Sequence, residues 1–445
     1  MKKVITYGTF DLLHYGHVRL LERAKALGDY LIVGVTAEGF DLARGKINVQ
    51  QSLMQRIENV KATGLADEII VEEYEGQKID DIKRLGIDVF TVGSDWEGKF
   101  DFLEEYCQVV YLERTAGISS SEIRSEKRDL RIGLVGESGI LNKFEAESQY
   151  VNGLTVSGVY SIDTSDLSDT LREMSQHIQD YCQLLETSDA IYIASHPSKH
   201  YNQIETALLA GKHVICESPI TISSHEYESL YSMSLEKGLI LMDAVKTAYS
   251  TAYNRMLLLV KSGVIGDVKS VDVVCTSLSD LERKAGKDLS NTWNSICAWG
   301  PTAMLPIFQL LGVHYNECQM ISHVTDLDFD SFTKIDYLYP NAVASLKVGK
   351  GVKAEGELII AGTKGYVYVP APWWKMDYFE IRYENPSNNK RYFYQLDGEG
   401  IRYEIVSFLK TIQTNKNLSY INREQSNEIV KQIEQFYQGN YHSIL

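Results

Sequence analysis

Between residues 3 and 118, short runs rich in β-branched and aromatic residues (VITYG, YLIVGVT, EIIVEE, DVFTVG, VVYLE) alternate with segments whose apolar positions recur at helical spacing. Such alternation predicts a parallel sheet with helices on both faces. Ligands in that architecture lie beyond the carboxyl ends of the strands. A charged helix, SSSEIRSEKRD, follows, and at RIGLVGESG the alternation begins anew, which sets a domain boundary near Asp129. From about Lys269 the chain is richer in strands (SVDVVCTSL, VASLKVG, GELIIAG, YVYVPA, FEIRYE), and it closes in helical segments between Ile405 and Phe436. The expected organisation is a parallel-sheet α/β domain over 1–128, a nucleotide-type α/β domain over 131–246 and an α+β domain over 247–445.

Composition narrows the class. At 445 residues the chain exceeds what one hydrophobic core usually supports, and 44% apolar with 23% charged residues is a globular balance. A formal net charge of −16 repels polyanions at long range, which argues against a nucleic-acid or membrane binder. An anionic substrate must therefore meet locally positive potential. Cys107, Cys182, Cys216, Cys275, Cys297 and Cys318 are dispersed without CxxC spacing, as in a reduced compartment. The start MKKVITYGTFDLLHYGH is no secretory signal, and no run approaches the ~20 apolar residues of a membrane span. These features predict a cytoplasmic protein.

Candidate chemistry clusters after the first strand. The apolar spacing in TFDLLHYGHVRLLERAKALGD reads as a helix from Leu12 onward, with His14 and His17 on one face near its start and the small Gly16 between them. A helix start beyond a strand offers N–H groups to phosphate, and imidazoles there can stabilise charge developing on an α-phosphate and on departing pyrophosphate. Plain helix-start histidines are the alternative for either residue alone; a zinc site lacks further ligands. A second anion-type element is RTAGISSSEIR, with the Arg114 guanidinium, Gly117, and the hydroxyls and N–H groups of Ser119, Ser120 and Ser121; its alternative is a serine N-cap.

GTFDLLHYGH, VGSDWEGKFDFL and RTAGISSS, in that order, resemble the glycerol-3-phosphate cytidylyltransferases of the HxGH nucleotidyltransferase superfamily, over essentially all of residues 1–126. The resemblance implies that Thr9, Phe10, His14, Tyr15, Gly16, His17, Arg114, Thr115, Gly117, Ile118, Ser119, Ser120 and Ser121 hold CTP. It implies catalytic roles for His14, His17, Lys46 and Arg114, with Lys46 on the triphosphate, and an acceptor site at Arg44 and Lys78. Mg2+ is expected on the phosphates, with Asp11 as the metal-side carboxylate. Such enzymes generally pair, so at least a dimer is expected. Three positions depart from the family pattern: Arg44 stands where a lysine is usual, Gly64 where a basic residue is frequent, and Ser94-Asp95 where two aspartates precede the tryptophan.

RIGLVGESGIL opens the second domain as an imperfect dinucleotide fingerprint, with Gly136 and Gly139 present but Ser138 and Leu141 at positions that favour small residues. DAIYIASHPSKHYNQIETALLAGKHVICESPI, GVIGDV and ELIIAGTKGYVYVP resemble the Gfo/Idh/MocA oxidoreductases across roughly 131–440. That resemblance implies a Rossmann domain, a C-terminal domain with an open sheet, and NAD(P). The catalytic lysine of the family's Glu-Lys-Pro turn is absent, because this chain has Glu217, Ser218 and Pro219. Thr302 and Leu305 replace the family's histidine and aspartate, and Ser161 stands where an acidic residue would meet the adenosine ribose. Serine is no cationic proton donor. Lys246, after the next strand, is the candidate substitute, a solvated loop lysine being the plainer reading.

The leading expectation is a cytidylyltransferase making a CDP-polyol, foremost CDP-glycerol, for a teichoic-acid or capsule-type polymer. One alternative is a bifunctional NAD(P)H-dependent keto-sugar phosphate reductase and cytidylyltransferase, as in CDP-ribitol-type routes. The other treats the second region as a non-catalytic oligomerisation or interaction module.

Overall fold

The computed structural model describes residues 1–37, 49, 51–74, 76–113, 130–137, 139–151, 153–278, 293–325, 329–394, 396 and 398–444. The chain divides into two compact units, Met1–Asp129 and Leu130–Leu445.

In the first unit the five apolar runs become β1 (Lys3–Gly8), β2 (Tyr30–Thr36), β3 (Glu68–Glu72), β4 (Val89–Gly93) and β5 (Gln108–Leu112). They form one parallel sheet in the order β3-β2-β1-β4-β5. Three α-helices are described here: α1 (Tyr15–Lys25), α2 (Leu53–Ala62) and α3 (Gln77–Leu85). Both sheet faces are covered, since Val4 packs into a core with Leu21, Val33 and Val60, while its neighbour Ile5 packs into another with Ile32, Ile82 and Phe90. Burial on both sides explains why β1 and β2 read as continuous apolar runs without alternation. Strand order reverses at β1, so the ligand crevice of this architecture opens beyond the carboxyl ends of β1 and β4.

The second unit begins with β6 (Leu130–Val135), α4 (Ile140–Ser148), β7 (Leu154–Tyr160), α5 (Asp169–Gln176), α6 (Tyr181–Thr187), β8 (Ala190–Ile193), α7 (Pro197–Leu209), β9 (His213–Glu217), α8 (Ser224–Glu236) and β10 (Leu241–Ala244). Their parallel sheet has the order β10-β9-β8-β6-β7, with its reversal at β6 and β8. Then come α9 (Thr251–Lys261), β11 (Val268–Thr276), α10 (Ser295–Leu311), β12 (Glu317–Val324), β13 (Asp330–Leu338), β14 (Val343–Gly349), β15 (Leu358–Gly362), β16 (Tyr366–Val369), β17 (Tyr378–Arg382), β18 (Lys390–Phe393), α11 (Ile401–Thr414), α12 (Arg423–Tyr437) and β19 (His442–Ser443). Strands β11 to β19 make an open mixed sheet in the order β18-β17-β16-β15-β11-β14-β13-β12-β19. The sequence pattern names five of these nine strands. Tyr227 of α8 donates its hydroxyl to the Arg423 carbonyl at 3.2 Å, one of the ties that return α12 to the parallel-sheet part.

Candidate active site

Helix α1 starts at Tyr15 rather than at Leu12, because the chain first turns sharply: Phe10 and Leu12 both take left-handed backbone, φ +52° and +47°. His14 therefore sits at the N-cap, and its Nδ1 accepts the Gly16 N–H at 3.1 Å. An accepting Nδ1 puts the proton of the neutral ring on Nε2. The His14 and His17 rings stack with centroids 3.9 Å apart, and the buried Phe10 ring meets His17 edge-on at 5.5 Å. Gly16 lies between them and Tyr15 points outward, 57% exposed. The sequence-predicted Phe10, His14, Gly16 and His17 thus come together beyond β1.

The turn owes its shape to residues that sequence reasoning did not single out. Arg56 of α2 is fully buried and donates to three carbonyls: Nη1 to Thr9 and to Thr36, each at 2.8 Å, and Nε to Gln51 at 3.1 Å. Gln51 in turn accepts the Leu12 N–H at 2.9 Å through its side chain and donates its own N–H to Asp11 Oδ1 at 2.9 Å. Asp11, expected on the metal side, is 2% exposed and holds the turn to the start of α2. Among the described residues no group of three or more His, Cys, Asp or Glu could hold a metal ion.

Lys78 of α3 reaches the same sheet edge. Its ammonium pairs with Glu72 at the end of β3 and lies 4.7 Å from the Tyr7 ring and 5.5 Å from the Phe100 ring. Glu72 is buried and accepts the Thr36 hydroxyl at 2.8 Å. Tyr7, on the strand that ends in the histidine turn, donates to Asp81 at 2.9 Å; burial first, and then the Asp81 charge, push its phenol far up, so it stays protonated. Arg44, Lys46, Arg114, Thr115, Gly117, Ile118, Ser119, Ser120 and Ser121 lie outside the described residues, as does the predicted helix after them.

In the second unit Gly136 has φ +136°, and a Cβ there would fall 2.6 Å from the Ala194 carbonyl carbon and 2.7 Å from the Ser195 nitrogen. Only glycine fits this contact between the chain leaving β6 and the chain leaving β8. Gly139 caps α4 without a side-chain hydrogen bond, and a Cβ on it would meet nothing within 4 Å. Ser138 lies outside the described residues. The Ser161 hydroxyl donates to the Asp163 carbonyl at 2.8 Å.

Glu217 ends β9, accepts the Tyr192 hydroxyl, and is pushed up to about 6 by burial against the pull of Tyr192 and Lys246. The Pro219 carbonyl lies 2.8 Å from His200 Nδ1. Glu404 of α11, 1% exposed, has no hydrogen-bond partner for either carboxyl oxygen among the described residues. Burial, and then the charge of Glu217, hold it well above the usual carboxylate range. Lys246, two residues past β10, is ion-paired with Glu399 at 3.0 Å. Thr302 and Leu305 are on α10, where Leu305 is fully buried core.

A doubly wound sheet with a stacked histidine pair at its reversal point defines a nucleotide-binding α/β domain. Residues 5–126 match the family described as Cytidylyltransferase-like, and residues 130–244 match Oxidoreductase family, NAD-binding Rossmann fold. Glycerol-3-phosphate cytidylyltransferase of Bacillus spizizenii is 53% identical over 130 residues, 29% of this chain and 100% of that relative. The chain belongs to the cytidylyltransferase-like family, and its first unit is a nucleotidyltransferase domain. A dTDP-3,4-didehydro-2,6-dideoxy-alpha-D-glucose 3-reductase of Streptomyces violaceoruber is 33% identical over 117 residues, 25% of this chain and 34% of that relative. The structure of a 3-ketoreductase from Actinomadura kijaniata in complex with NADP and TDP-benzene covers 71% of this chain and 99% of its own, with a TM-score of 0.63 at 16% identity. The second unit has the Gfo/Idh/MocA fold.

Proposed function

We propose that the first unit transfers the cytidylyl group of CTP to a polyol phosphate, glycerol 3-phosphate foremost, giving a CDP-polyol and pyrophosphate. The observation that carries this is 53% identity across the whole of a glycerol-3-phosphate cytidylyltransferase, in a domain whose histidine pair stacks beyond β1. An acceptor phosphate oxygen attacks the α-phosphorus in line, and the bond to pyrophosphate breaks as the new one forms; no protein nucleophile is needed. His14 donates from Nε2 to charge growing on the phosphates, with His17 stacked beside it, and Lys78 holds the acceptor phosphate. Lys46, Arg114 and the serine turn complete the nucleotide cradle, and Arg44 assists the acceptor. Mg2+, when bound, neutralises triphosphate charge. Asp11, at the histidine turn, is the carboxylate that would stand nearest a nucleotide-bound Mg2+. The product supplies a teichoic-acid or capsule-type polymer from the cytoplasm, and the chain acts as at least a dimer.

A second reading concerns the other unit: it binds NAD(P)H and reduces a keto-sugar phosphate to the polyol phosphate that the first unit activates. The fold it shares with an NADP-bound ketoreductase and the Gly136–Gly139 cradle favour this. The uncapped start of α4 suits the cofactor diphosphate, and bound cofactor supplies the hydride. Under this reading Glu217, in the turn that resembles the family's Glu-Lys-Pro, and Lys246, whose charge acts on it, serve the site in place of the missing lysine.

Purified full-length chain offered CTP with a panel of glycerol, ribitol and mannitol phosphates, with pyrophosphate release followed, tests the first reading. Silence with every acceptor refutes it. Keto-sugar phosphates with NADPH in the same assay test the second. Failure to bind either cofactor leaves the second unit an oligomerisation or interaction module.

A further inference from the structure

Three lysines from separate parts of the second unit converge on one carboxylate. Lys143 lies in the first turn of α4, Lys246 just past β10, and Lys375 in the short turn Trp373–Lys375 after β16. Their ammonium groups lie 3.4, 3.0 and 2.8 Å from the Glu399 carboxylate. The cluster is open to solvent, with side-chain exposures from 23% for Lys246 to 47% for Lys143.

A clamp between elements needs one cation per carboxylate, and the pair beside this cluster has that form: Arg402 Nε donates to Glu147 at 2.8 Å. Three lysines around Glu399 instead gather more positive charge than this one carboxylate balances, although Glu217 and Glu404 also lie within electrostatic reach of Lys246. In a chain with a net charge of −16, this is the kind of local positive potential that an anionic ligand requires. Burial alone would raise the Glu399 carboxyl, but hydrogen bonds from Lys375 and Lys246 and the charges of Lys246 and Lys143 bring it down to about 2, so it is a permanent anion and no proton donor. Its N–H is anchored to Glu147 Oε1 at 2.8 Å, and the glycines on either side take left-handed backbone, φ +59° and +83°. The main chain at Glu399 is thereby fixed, and its side chain is partly exposed.

We propose that Lys143, Lys246 and Lys375 form a binding site for a phosphoryl dianion, and that Glu399 occupies it as an internal substitute until the ligand arrives. A phosphoryl group carries close to two negative charges and three acceptor oxygens, a better match to three ammonium groups than one carboxylate. The chemistry fits a sugar phosphate substrate or the 2′-phosphate of NADPH, both phosphate monoesters. Assigning it to the substrate rests on the reductase reading above; the site itself does not.

Isothermal titration of the full chain with inorganic phosphate, a ketopentose 5-phosphate, the unphosphorylated ketopentose and NADPH tests this in the unaltered protein, Glu399→Gln and Lys375→Ala. Phosphate sites in the first unit give the same background in all three proteins. Glu399→Gln should tighten the ketopentose phosphate about tenfold and Lys375→Ala weaken it about tenfold, with the unphosphorylated sugar indifferent to both. Shifts that follow NADPH instead keep the site and assign its phosphoryl group to the cofactor. Unchanged affinities for every ligand, in variants with unaltered melting and unaltered cytidylyl transfer, overturn it. If Lys375→Ala does not fold, the more exposed Lys143→Ala takes its place. Shifts that persist without any NADPH oxidation refute the reductase reading and leave the site standing.

Discussion

The imidazole of His14 lies over that of His17, with planes 22° from parallel, while His14 Nδ1 accepts the N–H of Gly16. One ring caps α1 and, under the proposed function, also meets the substrate, so the two duties separate by substitution. His14→Ala should cost about 1 kcal/mol of stability from the lost cap and ~100-fold or more in turnover. His14→Asn should restore the cap and not the turnover. Pyrophosphate release and chemical denaturation measured side by side read the two effects, and full activity in His14→Asn would remove the imidazole from the mechanism.

Arg56→Met strips three carbonyls of their donor inside the first unit. Destabilisation on the order of 3 kcal/mol is expected, with Arg56→Lys intermediate because an ammonium cannot match the guanidinium fork. Urea unfolding gives the number, and a loss under about 0.5 kcal/mol would mean that the turn closes without it.

Lys78→Ala should raise the KM for the polyol phosphate about tenfold or more while leaving the KM for CTP nearly unchanged, since its ammonium stands among Glu72, Tyr7 and Phe100. Equal effects on both substrates would assign it to the fold rather than the acceptor.

Gly136→Ala and Gly139→Ala should behave oppositely in a thermal melt. The first drives a methyl into main chain and should cost about 2 kcal/mol or more. The second enters open space and should stay within about 0.5 kcal/mol, while lowering affinity for NADPH if the diphosphate rests there.

Burial pushes the Asp243 carboxyl from 3.8 up to about 6, against the pull of the Ser426 hydroxyl that bonds it. The folded form thus holds its proton more tightly than the unfolded chain, so this residue's contribution is complete below pH 3.8 and is lost as pH rises through about 6. Glu217 and Glu404 shift in the same direction, so the comparison to make is between proteins. Melting temperatures of Asp243→Asn from pH 4 to 7 should fall less steeply than those of the unaltered chain, and parallel curves would contradict the assignment.

The parallel sheets were legible because strands buried on both faces leave uninterrupted apolar runs. Edge strand β18 was not: Lys390–Phe393 is mostly exposed and has no buried face to imprint a pattern. The histidines could be picked out by type and spacing, but their stacking could not, because it depends on left-handed backbone at Phe10 and Leu12, neither of which is glycine. Arg56 was silent for a different reason. In LMQRIENVKA it looks like one more solvated helix cation, and its partners Thr9 and Thr36 are far away in sequence.

That dispersal bears on how the histidine turn comes into being. The ribosome releases the two histidines early, yet the side chain that fastens their loop emerges some forty residues later and must find carbonyls contributed by three different stretches. The motif by itself is consequently unfinished. Transplanted into a host lacking that distant arginine, it would bring the imidazoles along without the spacing that makes them useful.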